Sequence, residues 1–84
     1  MMRAKRVGKE AVDEYLSSRG WQQDTWGHWH RPVPPGGSDY RIKQQKNTIR
    51  YEVSSTSGWV RLDAQLYSTI SFSSKGMKIG RYYV

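Results

Sequence analysis

The spacing of the apolar residues changes at Gly20, and that change limits what this chain can fold into. Before Gly20 they recur three and four residues apart, at Ala11, Val12, Tyr15 and Leu16. That spacing is typical of one helix face, whereas the alternation of apolar and polar residues after Gly20 is typical of strands. The pattern predicts an α+β fold, in which one N-terminal helix over residues 8–19 packs on an antiparallel β-sheet. Residues 21–84 supply about five to six short strands of that sheet, built from hairpins.

The chain is short, so its 84 residues are expected to form a single small domain. At this size folding buries a little over ~60% of the surface of the unfolded chain, and the core must be small. Four Trp, six Tyr and one Phe supply much of its bulk. The absence of cysteine removes disulfide and thiolate chemistry and fits a cytoplasmic protein. Residues 1–7 hold three cations and no acid, and are expected to be a flexible basic arm.

The charge of the chain points to its class of partner. Fourteen Lys and Arg against seven Asp and Glu give a net charge of +7. A field of this sign attracts polyanions, so nucleic acid is the expected partner. No apolar run approaches ~18 residues, and we expect no membrane partner.

The segment Thr25-Trp26-Gly27 predicts a three-residue hairpin loop with Gly27 in the left-handed position. Counting outward from this loop pairs Asp24 with His28, Gln23 with Trp29, Gln22 with His30 and Trp21 with Arg31. Trp21 and Trp29 then face the helix, because neighbours along a strand alternate sides. The outer face receives Asp24, His28 and His30, and Trp26 lies at the tip without predicted burial.

A second hairpin is predicted around a two-residue turn at Lys46-Asn47. The pairs that follow are Tyr40 with Val53, Arg41 with Glu52, Ile42 with Tyr51, Lys43 with Arg50, Gln44 with Ile49 and Gln45 with Thr48. Like charges directly opposite each other on a sheet destabilise it by a few tenths to ~1 kcal/mol. Lys43 and Arg50 therefore either bind a phosphate or an acidic partner, or splay apart in water.

The remaining segments predict connectors and further strands. The proline-rich stretch 32–39 is a connector, and 54–58 is a turn. Val60, Leu62 and Ala64 are predicted on one side of the next strand, and Trp59, Arg61 and Asp63 on the other. A last hairpin is expected to turn at Lys75-Gly76, with Gly80 as a bulge or a close backbone approach and residues 81–83 as a basic aromatic tail.

The principal functional prediction is a non-catalytic domain that binds RNA or single-stranded DNA through the uncovered face of the sheet. Flat rings on such a face stack on bases, and cations follow the phosphates. The predicted binding residues are Trp26, His28, His30, Arg31, Arg41, Lys43, Lys46 and Arg50. The sequence holds no helix-turn-helix pair, zinc knuckle or aromatic octamer of the RNA-recognition type, so the prediction depends on composition and register.

The two histidines carry the alternative chemistry. His28 and His30 share one side of a strand at a spacing that zinc sites use, and Asp24 is a possible third ligand. Such a site needs another ligand fixed by its neighbours, and Asp39 lies in a Gly-rich loop, so we predict no metal and no cofactor. If the chain is an enzyme, His28 or His30 is the general acid or base, with Asp24 orienting it.

Along residues 9–34 the order is a helix, Arg19-Gly20-Trp21, a short strand, Gly27-His28 and Arg31-Pro32. This order resembles the start of HicA-type toxin ribonucleases, whose helix leads into a hairpin with a catalytic histidine at a Gly-Ser-His site. The resemblance implies a metal-independent ribonuclease in which His28 takes the catalytic position. The chain lacks the serine, and beyond Pro35 it has two further hairpins where that family has one more strand and a closing helix.

A third function class needs no chemistry. Trp, Tyr and Arg are enriched at binding hot spots, so exposed aromatic rings and a sheet edge also suit a protein-binding inhibitor or adaptor. The salt dependence of binding separates this class from nucleic-acid binding, because counterion release makes the latter far steeper.

Overall fold

The computed structural model describes residues 8–84, so the arm predicted over residues 1–7 lies outside the described residues. The described elements are α1 (Lys9–Ser18), β1 (Gln22–Gln23), β2 (Trp29–His30), β3 (Tyr40–Gln44), β4 (Thr48–Ser55), β5 (Gly58–Leu66), β6 (Ser71–Ser73), β7 (Gly76–Ile79) and β8 (Tyr82–Tyr83). A turn of 3-10 helix, Tyr67–Thr69, joins β5 to β6. The strands form two antiparallel sheets, β1-β2-β3-β4-β5 and β6-β7-β8. The α+β fold is confirmed, with more strands than the five to six predicted.

The helix α1 is one residue shorter at each end than the predicted 8–19. Its inner stripe is buried at Val12 and Leu16, which are fully inaccessible to solvent. Gly20 adopts the left-handed conformation, φ +86°, and ends the helical path. The backbone N–H of Trp21 then donates to the carbonyl of Leu16 at 3.0 Å, so the chain turns sharply into β1.

The registers of the first two hairpins are the predicted ones. Gln22 pairs with His30 and Gln23 with Trp29 on β1 and β2. On β3 and β4, the pairs run from Tyr40–Val53 to Gln44–Ile49 and include Lys43–Arg50. The Lys46-Asn47 turn sets this register, because the N–H of Gln45 donates to the carbonyl of Thr48 at 2.9 Å.

β5 differs from the prediction at Leu62. The flanking pairs are Glu52 with Arg61 and Tyr51 with Asp63. Leu62 is therefore an extra residue on β5, and such a bulge exchanges the two faces of the strand beyond it. Ala64 consequently lies on the side opposite to Val60, and Asp63 turns to the covered side. There its carboxylate accepts the backbone N–H of Arg81 at 3.3 Å.

The last hairpin also corrects the prediction. Ser73 pairs with Gly76, so the turn is Ser74-Lys75 and Gly76 already belongs to β7. The predicted tail at 81–83 is wrong, because Tyr82–Tyr83 forms β8 and pairs with β7. Gly80, at φ +58°, permits the reversal between the two strands.

α1 and the second sheet cover the same side of the first sheet. The buried core between them holds Val12, Leu16, Trp21, Trp29, Ile42, Ile49, Tyr51, Tyr67, Ile70, Met77 and Ile79. The other side of the first sheet, here called the open face, presents the residues that alternate with this core: His28, His30, Arg41, Lys43, Arg50, Glu52, Trp59 and Arg61.

Across residues 8–84, no helix has the length and apolar character needed to cross a membrane.

Candidate nucleic-acid interface

The strand order brings the tips of the first two hairpins to one end of the first sheet. β1 to β4 follow one another in space as they do along the chain, each antiparallel to the last. The loop at Trp26 and the turn at Lys46 therefore lie at the same end, here called the tip end. Lys46 is exposed on its turn. The topology thus gathers a ring and a cation that are 20 positions apart in the sequence.

Lys43 and Arg50 form a cationic pair on the open face near the tip end. They lie directly opposite each other on β3 and β4, and both are half-buried. In residues 8–84 neither side chain forms an ion pair, although the neighbouring pair Arg41–Glu52 does. The predicted facing of two like charges is therefore confirmed, and the charges are not neutralised by the fold.

His28 lies beside this cationic pair. Trp29 of β2 pairs with Ile42 of β3, so His28, one residue earlier, lies opposite Lys43. Partial burial lowers the pKa of His28, and the positive charges of Arg41 and Lys43 lower it further against the opposing effect of Asp24. The imidazole is therefore neutral at neutral pH. A negative charge nearby, or a lower pH, favours its charged form.

Trp26 stands clear of the domain at the tip end. Its side chain is 80% exposed, as predicted. The loop beneath it is fixed, since one oxygen of Asp24 accepts the backbone N–H groups of Trp26 and His28, each at 2.9 Å. Gly27, at φ +86°, completes the loop, and Gln23 donates to its carbonyl at 3.0 Å. An exposed indole on an ordered loop is a preformed stacking surface.

His30 is held between two carboxylates. Its Nε2 lies 2.7 Å from Asp24 Oδ2, and its Nδ1 lies 3.4 Å from Asp39. Burial acts to raise the pKa of Asp24, but the hydrogen bonds from His30 and from the backbone of His28 and Trp26 outweigh it and hold that pKa below its usual value. Both ring nitrogens of His30 thus face a carboxylate.

This arrangement also bears on the metal hypothesis. Asp24 and Asp39 approach opposite nitrogens of the imidazole and do not converge on one point. Within residues 8–84, no group of three or more His, Asp and Glu side chains is placed to hold a metal ion. The His-x-His spacing is used here for an internal carboxylate–histidine contact.

Arg41 is built into the open face. Its Nε donates to Glu52 at 2.7 Å, and Glu52 is buried. The guanidinium lies 4.2 Å from the ring centroid of Trp59, which in turn meets His30 edge-on at 5.7 Å. This cluster stiffens the part of the open face that adjoins the cationic pair.

The structure brings most of the predicted binding residues together. Those near the tip end are Trp26, His28, Lys43, Lys46 and Arg50. His30 and Arg41 lie beside them in contacts of their own, whereas Arg31 is apart, stacked 4.1 Å over Tyr40 on the covered side. Arg61 was not among the predicted binding residues. It is exposed on the open face opposite Glu52, and the alternation along β5 had placed it on the same side of the strand as Trp59.

Comparison with protein families, with curated proteins and with solved structures gave no match. The resemblance of residues 9–34 to HicA-type ribonucleases therefore rests on its motifs alone. The candidate site is defined by its own geometry.

Proposed function

We propose that the chain is a small non-catalytic domain that binds RNA or single-stranded DNA on the open face at the tip end. The observation that carries this proposal is the opposed pair Lys43–Arg50. Within residues 8–84 the pair is half-buried, forms no ion pair and is flanked by the neutral ring of His28.

The repulsion within the pair favours an anionic ligand over an empty surface. Two like charges opposite each other destabilise the folded sheet by up to ~1 kcal/mol. A phosphate between them turns that repulsion into two attractive contacts and releases condensed counterions. The adjacent Arg41 carries the same charge but is already paired with Glu52, so it adds rigidity and little free charge.

Trp26 supports a single strand rather than a duplex. Its exposed indole lies at the same end as the cations, and a base can stack on it only if that base is not already stacked within a helix. Cations that follow the backbone together with a ring that meets the bases are the usual elements of single-strand platforms.

The geometry supports catalysis less well. One carboxylate oxygen of Asp24 accepts the backbone N–H of His28, not its imidazole. The other oxygen contacts the ring of His30. A general base at His28 would therefore lack the oriented carboxylate partner that such chemistry usually has, and both nitrogens of His30 already face carboxylates.

The test is the double variant Lys43→Gln/Arg50→Gln. We expect weaker binding of a single-stranded oligonucleotide and a salt dependence that is shallower by about one to two units of slope. The variant should unfold at the same or a higher denaturant concentration, because it removes the repulsion between the two side chains.

The matched control is Arg19→Gln/Arg31→Gln, which removes the same charge from two arginines that stack on tyrosine rings away from the tip end. It should change the slope less than the open-face variant does. Equal losses in both variants would show that only net charge matters, and unchanged binding in the open-face variant would contradict the proposal. Tight binding of a protein with little salt dependence would instead favour the adaptor function.

A further inference from the structure

The outer side of the second sheet is a separate cationic surface. After Asp63 the sequence contains no acidic residue but three cations, Lys75, Lys78 and Arg81. Lys78 pairs with Tyr83 across β7 and β8, and both are exposed. The neighbours of Lys78 along β7, Met77 and Ile79, are fully buried. By alternation, Lys78 and Tyr83 therefore point away from the core.

Tyr83 is the centre of this surface. Its ring is 47% exposed, and the ammonium groups of Lys75 and Lys78 lie 5.6 and 5.8 Å from its centroid. In the described residues neither lysine forms an ion pair. The exposed Ser71 lies opposite Lys78, and the hydroxyl of Ser73 accepts the backbone N–H of Lys75 at 3.2 Å. The surface thus combines an aromatic plane, unpaired cations and hydrogen-bond donors, which are the groups that bind bases and phosphates.

We propose that this second cationic surface, Lys75, Lys78 and Tyr83, is a second nucleic-acid contact, so that one domain holds two nucleic-acid segments at once. The inference rests on the function proposed for the open face. It adds that the domain bridges strands and does not merely coat one.

The two surfaces face opposite directions. Met77 and Ile79 pack in one core with Ile42 and Ile49 of the first sheet. The outer side of β6–β8 is consequently the far side of the molecule from the open face. Packed sheets lie ~10 Å apart, and side chains extend beyond each, which puts two bound backbones about 20 Å apart.

That separation permits simultaneous binding. The Debye length is ~8 Å at physiological ionic strength, so two polyanions about 20 Å apart repel each other weakly. One short segment cannot follow both surfaces, because the two sheets and the core lie between them. Each surface therefore meets its own segment.

The experiment is a co-capture assay on the full chain. A biotinylated RNA of about 8 nucleotides is fixed on beads, and a fluorescent RNA of the same length is added with the protein. Wild-type protein should retain the fluorescent strand. The variant Lys75→Gln/Lys78→Gln should retain about tenfold less, because two phosphate contacts are lost, while its binding to a single RNA stays within about twofold of wild type.

Each outcome separates the two proposals. Retention that persists in Lys75→Gln/Lys78→Gln overturns the bridging inference and leaves the open-face function standing. The same holds if wild type binds one RNA but never retains the second. If wild type binds no RNA at all, the proposed function fails and the inference fails with it. Both lysines are exposed, and a thermal unfolding curve should match that of wild type.

Discussion

The excess of positive charge at the open face arises because individual carboxylates bind other side chains. Asp13 accepts the indole N–H of Trp29 at 2.8 Å, an amide N–H of Gln44 at 3.0 Å and the ammonium of Lys9 at 3.1 Å. Asp24 holds His30, and Glu52 holds Arg41. These acids are committed to internal partners, so none of them neutralises the cations at the tip end.

His28 gives a pH-dependent prediction at the same scale. Burial first, and then the charge of Arg41, keep its pKa below the ordinary imidazole value, so the free protein carries a neutral ring at pH 7. A phosphate beside the ring favours the charged form and raises the pKa, and binding then takes up a proton. Affinity for RNA should therefore increase as the pH falls from 8 towards 6, by up to tenfold for each pKa unit of change on binding, about 1.4 kcal/mol.

The control is His28→Gln, which should bind RNA with little change over that pH range. An equal pH dependence in wild type and His28→Gln would place His28 outside the interface. Cleavage of the RNA that disappears in His28→Gln would favour the ribonuclease alternative.

At the scale of elements, the hairpins show what the sequence determines. The two short turns fix their registers, so the pairing of Lys43 with Arg50 and the opposite directions of Trp26 and Trp29 were predictable from local residues. The bulge at Leu62 was not predictable from the sequence, because no glycine marks it. It turns Asp63 towards Gly80 and Arg81, residues that only the tertiary fold brings near.

The candidate site divides in the same way. Its cations and Trp26 lie on hairpins, and alternation placed them correctly. The contact of His30 with Asp39 could not be predicted, because Asp39 follows an irregular loop whose path no periodicity describes. The strand Tyr82–Tyr83 was missed because a two-residue strand is too short to show a period.

The first hairpin predicts different roles for its two tryptophans. Trp29 is 8% exposed and donates to Asp13, so Trp29→Ala should lower the free energy of unfolding by ~3–5 kcal/mol, enough to unfold a domain this small. Trp26→Ala should leave stability nearly unchanged and weaken RNA binding by roughly 1–3 kcal/mol. Chemical denaturation and RNA titration on both variants check this. A folded Trp29→Ala or an unfolded Trp26→Ala protein would contradict the hairpin register.

At the scale of the whole molecule, the second sheet must stay docked for its cations to face away from the open face. Two groups hold the joint beside Gly80. The side chain of Gln65 accepts the N–H of Gly80, and the carboxylate of Asp63 occupies the space where a Cβ on residue 80 would lie. Tyr51 and Tyr82 add a tilted ring contact at 5.4 Å between the sheets.

Gly80→Ala tests this joint. The substitution forces a side chain into the left-handed conformation and against Asp63, so we expect a loss of about 2–4 kcal/mol in the free energy of unfolding. Gly36→Ala is the matched control, because Gly36 is also left-handed, at φ +78°, but a Cβ there meets nothing within 4 Å. It should cost about 1 kcal/mol, the conformational part alone. Equal losses in the two variants would mean that Gly80 contributes only its backbone conformation, and that other contacts set the position of the second sheet.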